Sequence, residues 1–238
     1  MLQTTEIARG IYRISLWDEP DLLKAGLLFP AASYNMFLIK ADQPAIVQTM
    51  LRRSFVRVSE CVRKIVDPAR LAYVVVPHHE GDSSGAINEW LKVAPTAVAL
   101  CSELCAVLSL RDMADREPRV VGDGEVVDLG SHRLQFFMTP QVNQWDSLMV
   151  YEQSTKTLFP NDLFSSMGTD IMTKNDRSEE ALGAVRNLGY QPNDRPALLQ
   201  TLDKIGPLDV KVVACMHGPA ITAHYDSLVQ HFRTYLTS

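Results

Sequence analysis

Basic residues are scarce and never cluster. Lys and Arg number 23 against 28 Asp and Glu, for a net charge of −5, with no run of five or six cations in the chain. Affinity for a phosphate backbone comes from neutralising its charges, so nucleic acid is not an expected partner. Cysteine is equally thin. The four, Cys61, Cys101, Cys105 and Cys215, include no CxxC pair and are too few for a disulfide framework over 238 residues, which points to reduced thiols and a cytoplasmic location. The opening MLQTTEIARG has neither the basic segment nor the apolar core of a secretory signal. The most apolar stretch, 25–39, is 15 residues long and broken by Pro30, Ser33 and Asn35, too short to cross about 30 Å of hydrocarbon. Neither export nor a membrane span is expected, and no repeat or low-complexity run stands out.

What is present is an ordinary globular composition, 46% hydrophobic and 21% charged. A chain of this length can bury roughly 70–75% of its unfolded surface without a staple. Alternation from Glu6 to Ser15 predicts a strand leading into a loop at Trp17 to Asp21. Tyr34 to Ile39 and Ala45 to Thr49, joined by the turn-like ADQP, predict a hairpin. Val56, Val58, Cys61, Val62 and Ile65 recur at helical spacing, and the run LAYVVV at 71–76 has the apolar character of a strand covered on both faces. Helices are predicted at 85–93, 102–113, 179–188, 196–205 and 221–236, and strands at 97–100, 148–151, 157–159 and 210–215, with hairpins between 119 and 140. Sheets covered by helices, with no linker-like boundary, predict one α/β layered domain over residues 1–238.

Four loops at strand ends concentrate the chemistry. The first, VVVPHHEGDSSG, places His78, His79, Glu80 and Asp82 within five positions. Alternate residues of an extended loop point to one side, so His78, Glu80 and Asp82 can converge on a metal while His79 points away. The same loop also reads as a polar helix cap, with Asp82, Ser83 or Ser84 before a helix at Gly85. The others are PQVNQWDS (140–147), LFPNDLF (158–164) and VVACMHGP (212–219).

Taken together and in this order, the loops resemble the metallo-β-lactamase superfamily, in its flavodiiron and oxygen-binding diiron branch. The pattern His-x-Glu-x-Asp-His-Ser-Gly is answered by His78-His79-Glu80-Gly81-Asp82-Ser83-Ser84-Gly85, and His-Trp-Pro-Asp-Ser-Met by Asn143-Gln144-Trp145-Asp146-Ser147-Leu148. Leu-Phe-x-x-Asp-x-Phe falls on Leu158 to Phe164, with Asp162 as the bridging carboxylate, and the closing His-Gly-Pro on His217-Gly218-Pro219. Ser33-Tyr34-Asn35 also matches that family's beginning. The resemblance implies a four-layer αββα sandwich and a carboxylate-bridged pair of iron ions that binds or reduces O2 or NO, as a reductase or as an oxygen sensor. It implies one metal at His78, Glu80, Asp162 and position 143, and a second at Asp82, Asp162, His217 and position 83, with no catalytic residue beyond the ligands. Glu80 stands where hydrolytic members carry a second imidazole, and its harder oxygen suits iron.

Two family histidines are replaced, by Ser83 and by Asn143, so each metal loses an imidazole while all three carboxylates remain. Asn143 can offer an amide oxygen and Ser83 a hydroxyl; His79 and Gln144 are adjacent spare donors, and Trp145 and Asp146 lie beside them. One metal, or zinc or manganese instead of iron, are the alternatives, as are a metal-poor binding or signalling protein and a mononuclear metallohydrolase at Asp82 and His217. No flavin is expected on this chain and no flavodoxin-like domain within it, so the resemblance implies a separate flavoprotein or rubredoxin-like donor and a homodimer. His132 is expected at the surface, His224 and His231 at the core edge or in solvent, Cys215 in the core, and Trp145 and Tyr151 near the site, while Cys101 and Cys105, four apart at a helix start, can face one side but two thiols do not make a zinc site.

Overall fold

The computed structural model describes residues 1–17, 33–166, 172–188 and 195–238. Most of the expected loop at Trp17 to Asp21 lies outside them. Seven strands form the first sheet in chain order: β1 (Leu2–Ala8), β2 (Ile11–Trp17), β3 (Ser33–Ile39), β4 (Ala45–Val47), β5 (Tyr73–Val75), β6 (Val98–Cys101) and β7 (Arg119–Val120). The second sheet comprises β8 (Val126–Asp128), β9 (Arg133–Met138), β10 (Leu148–Glu152), β11 (Thr157–Phe159), β12 (Met172–Thr173), β13 (Val212–Val213) and β14 (Ala220–Ile221), in the order β12-β14-β13-β11-β10-β9-β8.

Period-two alternation assigns each strand's side chains to two different cores. Ile14, Leu16, Met36, Leu38 and Ile46 face outward onto Val58 and Val62 of α1 (Phe55–Arg63) and Trp90 and Leu91 of α2 (Ile87–Val93). Their neighbours Ile11, Phe37, Ile39 and Val47 face inward and meet Leu134, Phe136, Leu148, Val150 and Phe159 of the other sheet. On that sheet's far side, Phe137, Met149, Tyr151 and Leu158 pack on Leu182 of α3 (Ser178–Leu188), Leu198 and Leu202 of α4 (Arg195–Ile205), and Leu228 and Phe232 of α5 (Tyr225–Thr237). Helices, sheet, sheet and helices are the four αββα layers. No described helix is long and apolar enough to cross a membrane.

Several boundaries differ from the sequence reading. The first predicted strand is a hairpin, because Gly10 at φ 75° turns the chain between β1 and β2. Strand β4 stops at Val47, since Gln48 (φ 68°) and Met50 (φ 67°) enter the left-handed region. The last helix begins at Tyr225, after β14. The predicted helix at 102–113 is a run of α, π and α turns, Glu103–Cys105, Ala106–Leu110 and Arg111–Met113, with Cys101 and Cys105 both buried.

His132 is the clearest departure. It is buried, with Nδ1 3.1 Å from the carboxylate of the fully buried Glu152. A histidine beside a Gly-Ser turn reads as exposed until the partner, 20 residues on in the next hairpin, is known. His231 is paired with Glu179 of α3 at 2.5 Å, and the Tyr151 hydroxyl donates to the Asp209 carbonyl, in the helix-covered core and not at the four loops.

Candidate metal centre

The four loops meet at one end of the sandwich, where β5, β9, β11 and β13 stop and β10 begins. The Leu148 N–H donates to the Pro77 carbonyl at 2.9 Å, tying the first loop to the start of β10. Met216 N–H donates to the Asn161 carbonyl at 3.3 Å, and the Asn161 amide donates to the Ser147 hydroxyl at 2.9 Å, so the third loop is joined to the second and the fourth. Each segment is held by its strand on one side and by another loop on the other.

One ligand atom each from His78, Glu80 and Asp82 lie within 4.8 Å of one another. His78 Nε2 is 3.4 Å from Glu80 Oε2 and 3.7 Å from Asp162 Oδ2. His217 Nε2 is 3.4 Å from Asp162 Oδ1 and 3.6 Å from Asp82 Oδ2. Asp162 thus turns one oxygen towards each imidazole.

His217 is aimed from behind. Its Nδ1–H donates to the Ser33 carbonyl at 2.7 Å, which leaves Nε2 for the carboxylates. The backbone after it is held as well: Gly218 N–H donates to Ser33 Oγ at 2.7 Å, while its carbonyl accepts from Asn35 Nδ2 at 2.9 Å and from Arg13 at 2.8 Å. Asn35 Nδ2 also donates to the Cys215 carbonyl, and its Oδ1 accepts from Ser15. Ser33 and Asn35 were visible only as a motif match; Arg13 carried no signal, since an arginine in an alternating strand reads as solvent-facing. It is fully buried.

The replaced positions behave differently from each other. Ser83 is buried with its hydroxyl unpartnered. Asn143 donates from Nδ2 to Asp162 Oδ2 at 2.8 Å and to Glu80 Oε1 at 3.4 Å. Gln144 donates to the same Glu80 oxygen. Neighbouring side chains do not alternate here because Asn143 sits at φ 68° in the left-handed region, so both amides reach Glu80. His79 is half-exposed and turned to Asp146, Nδ1 to Oδ1 3.4 Å, away from the cluster. Asp146 is buried and anchored through its carbonyl by the Ser102 hydroxyl at 2.7 Å, and Trp145 is exposed.

Electrostatics follow from three carboxylates around two buried rings. Burial pulls the His78 imidazole down, but contact with Glu80 and the charges of Asp162 and Asp82 push it up to about 9. His217 is likewise lowered by burial and then raised to about 9 by Asp162 and Asp82. Close contact with His78 holds Glu80 below the usual carboxylate range. Burial raises Asp82, whereas for Asp162 burial is outweighed by His217 and His78 and the carboxyl is lowered.

The donor set fits a cation. Two imidazoles and three carboxylates converge, and His78 Nε2 and Asp162 Oδ1 are buried without a hydrogen bond, a costly arrangement that a bound ion would relieve.

A family model described as ODP family beta lactamase matches residues 32–218. The chain belongs to that family. Among relatives of this ODP-family chain, diflavin flavoprotein A 1 of Synechocystis sp. is 28% identical over 253 residues, covering 99% of the chain and 42% of the relative. The metal-soaked Flv1 flavodiiron core from Synechocystis sp. superposes with a TM-score of 0.86 at 22% identity, over 99% of this chain and 61% of that one. Rubredoxin oxygen:oxidoreductase from Desulfovibrio gigas superposes at 0.84 with 19% identity, over 99% and 62%. The ODP-family chain spans 40–42% of the length of the first curated relatives it matches.

Proposed function

We propose that this chain holds two iron ions between the four loops and binds or reduces O2 or NO there. The observation that carries the reading is Asp162, whose two oxygens face His217 Nε2 at 3.4 Å and His78 Nε2 at 3.7 Å, the placement a shared carboxylate needs. His78, Glu80, Asp162 and position 143 would hold one ion, and Asp82, Asp162, His217 and position 83 the other. Two ferrous ions supply the two electrons that a diatomic oxidant takes up.

The chain's own residues supply the rest. Glu80, Asp82 and Asp162 carry three negative charges, which would offset three of the four positive charges of two divalent cations. Ser33 fixes the tautomer and direction of His217. The names of relatives with flavin and rubredoxin support a separate flavoprotein or rubredoxin-like electron donor. A second reading has one observation of its own: the amides of Asn143 and Gln144 already satisfy Glu80 Oε1 and Asp162 Oδ2, as a metal-poor binding protein would need.

The two are separated by elemental analysis for iron, zinc and manganese on protein purified without oxygen, followed by an absorbance spectrum on exposure to O2. Close to two irons per chain and a new near-ultraviolet or visible band are expected, and Asp162→Asn should lose both. Less than about a tenth of a metal per chain after ferrous reconstitution overturns the diiron reading and leaves the metal-poor one.

A further inference from the structure

The two halves of the cluster do not face a cation alike. In the half built from Asp82, Asp162 and His217, Asp162 Oδ1 is buried, accepts no amide hydrogen and faces His217 Nε2 at 3.4 Å. In the half built from His78, Glu80 and Asp162, one oxygen of each carboxylate is already taken by an amide, while Glu80 Oε2 lies 3.4 Å from His78 Nε2. Glu80 Oε1 accepts from both Asn143 Nδ2 and Gln144 Nε2, and Asp162 Oδ2 accepts from Asn143 at 2.8 Å. Two amide hydrogens fill both lone-pair directions of Glu80 Oε1, and one fills one of the two on Asp162 Oδ2, so a cation approaching through these oxygens competes with the amides.

The loop is built to keep both amides there. Gln141 at φ 69° and Asn143 at φ 68° are left-handed, and Gln141 N–H donates to the Gln144 carbonyl at 3.0 Å. Val142 N–H donates to the Thr139 carbonyl at 3.2 Å and Ser147 N–H to that of Gln144 at 3.3 Å. This winding brings two consecutive side chains to one oxygen, which an extended segment cannot do.

We infer that Asn143 and Gln144 form an amide clamp that makes the half-sites unequal, so that a first cation settles among Asp82, Asp162 and His217 and a second enters beside His78 and Glu80 only as the clamp opens. The inference rests on the metal-binding reading above. Hydrogen bonds to charged acceptors are strong enough that each one displaced weakens the second site by about tenfold or more.

The test is anaerobic calorimetric titration of the full chain with Fe2+, repeated with Co2+ for its ligand-field absorption. Wild type should show two classes of one equivalent each, separated by at least about tenfold. Gln144→Ala should tighten the weaker class by about tenfold and leave the tighter one within about twofold. Asn143→His tolerates the left-handed backbone and adds an imidazole, so it should bring the classes closer still. Asn143→Gly keeps the backbone and removes the amide; its unfolding midpoint beside the others identifies any variant that fails to fold. Two equivalents in one class in wild type, or a separation unchanged in all three variants, overturns the clamp alone. No binding in wild type or in Asn143→His overturns the clamp and the metal reading together.

Discussion

The Nδ1–H of His217 donates to the carbonyl of Ser33, 184 positions earlier in the chain, at 2.7 Å. One sheet thereby directs a side chain carried by the other, and Asn35 extends the grip to the Cys215 and Gly218 carbonyls. Asn35→Ala leaves these buried acceptors and the Ser15 hydroxyl short of a partner. A loss of about 2–4 kcal/mol is expected, a fall of roughly 5–10 °C in Tm. Denaturant unfolding should show a lower midpoint at unchanged slope, and metal affinity should drop about 10–100-fold with it.

Gly218 adopts φ 80°, and a Cβ there would stand 2.3 Å from the Ser166 carbonyl oxygen. Gly218→Ala therefore meets both a strained backbone and a collision with main chain, at a cost of about 2 kcal/mol or more. Thermal unfolding should register the loss. Since the same residue follows His217, bound metal per folded chain should fall as well, whereas an alanine at the exposed Gly124, with nothing within 4 Å of its Cβ, should leave metal content unchanged.

Protonation gives two opposite pH trends. The buried imidazoles of His78 and His217 are raised from 6.5 to about 9 by the carboxylates that outweigh their burial. A raised imidazole contributes stability that is fully present below pH 6.5 and is lost as pH rises through about 9, so the metal-free protein should melt progressively lower across that window. Metal uptake must displace those protons, and affinity should climb over the same range by up to about tenfold per pH unit for each proton released. Melting curves and metal titrations at matched pH check both signs.

Glu152 offers a control remote from the four loops. It accepts from the backbone of Ser154 at 2.9 Å and Thr155 at 2.7 Å, from the Thr155 hydroxyl, and pairs with His132. Burial pushes its carboxyl up, and His132 with the Thr155 and Ser154 hydrogen bonds carries it down to about 2. Such a depressed carboxyl contributes stability present above its ordinary value of 4.5 and lost as pH falls through about 2. Glu152→Gln should cost about 3 kcal/mol at neutral pH and flatten the acid limb of the stability profile, with metal content unchanged.

Much of the fold was legible because its signals are local. Met36, Phe37, Leu38 and Ile39 alternate between two cores, and that alternation is written in the residues themselves. His78, Glu80 and Asp82 stand out from their spacing after a buried strand, whereas Asp162 and His217 are singled out by the family motifs they match. Gln144 stands out as a spare donor beside Asn143, but the convergence of both amides on one carboxylate was not legible, because it depends on the left-handed backbone at Asn143. The burial of His132 and Arg13 was invisible because their partners, Glu152 and the Gly218 carbonyl, come from other strands.

By itself the sequence determined the layered α/β architecture, since periodicity acts over a few neighbouring positions, and it offered the candidate donor residues through spacing and family motifs. Only the tertiary structure decided how those donors face one another: that Asp162 divides its oxygens between two imidazoles, that Ser33 and Asn35 aim the loop of His217, and that a left-handed backbone at Asn143 turns two amides onto Glu80. These depend on a backbone dihedral and on contacts between segments distant in the chain, quantities set by packing across the whole sandwich.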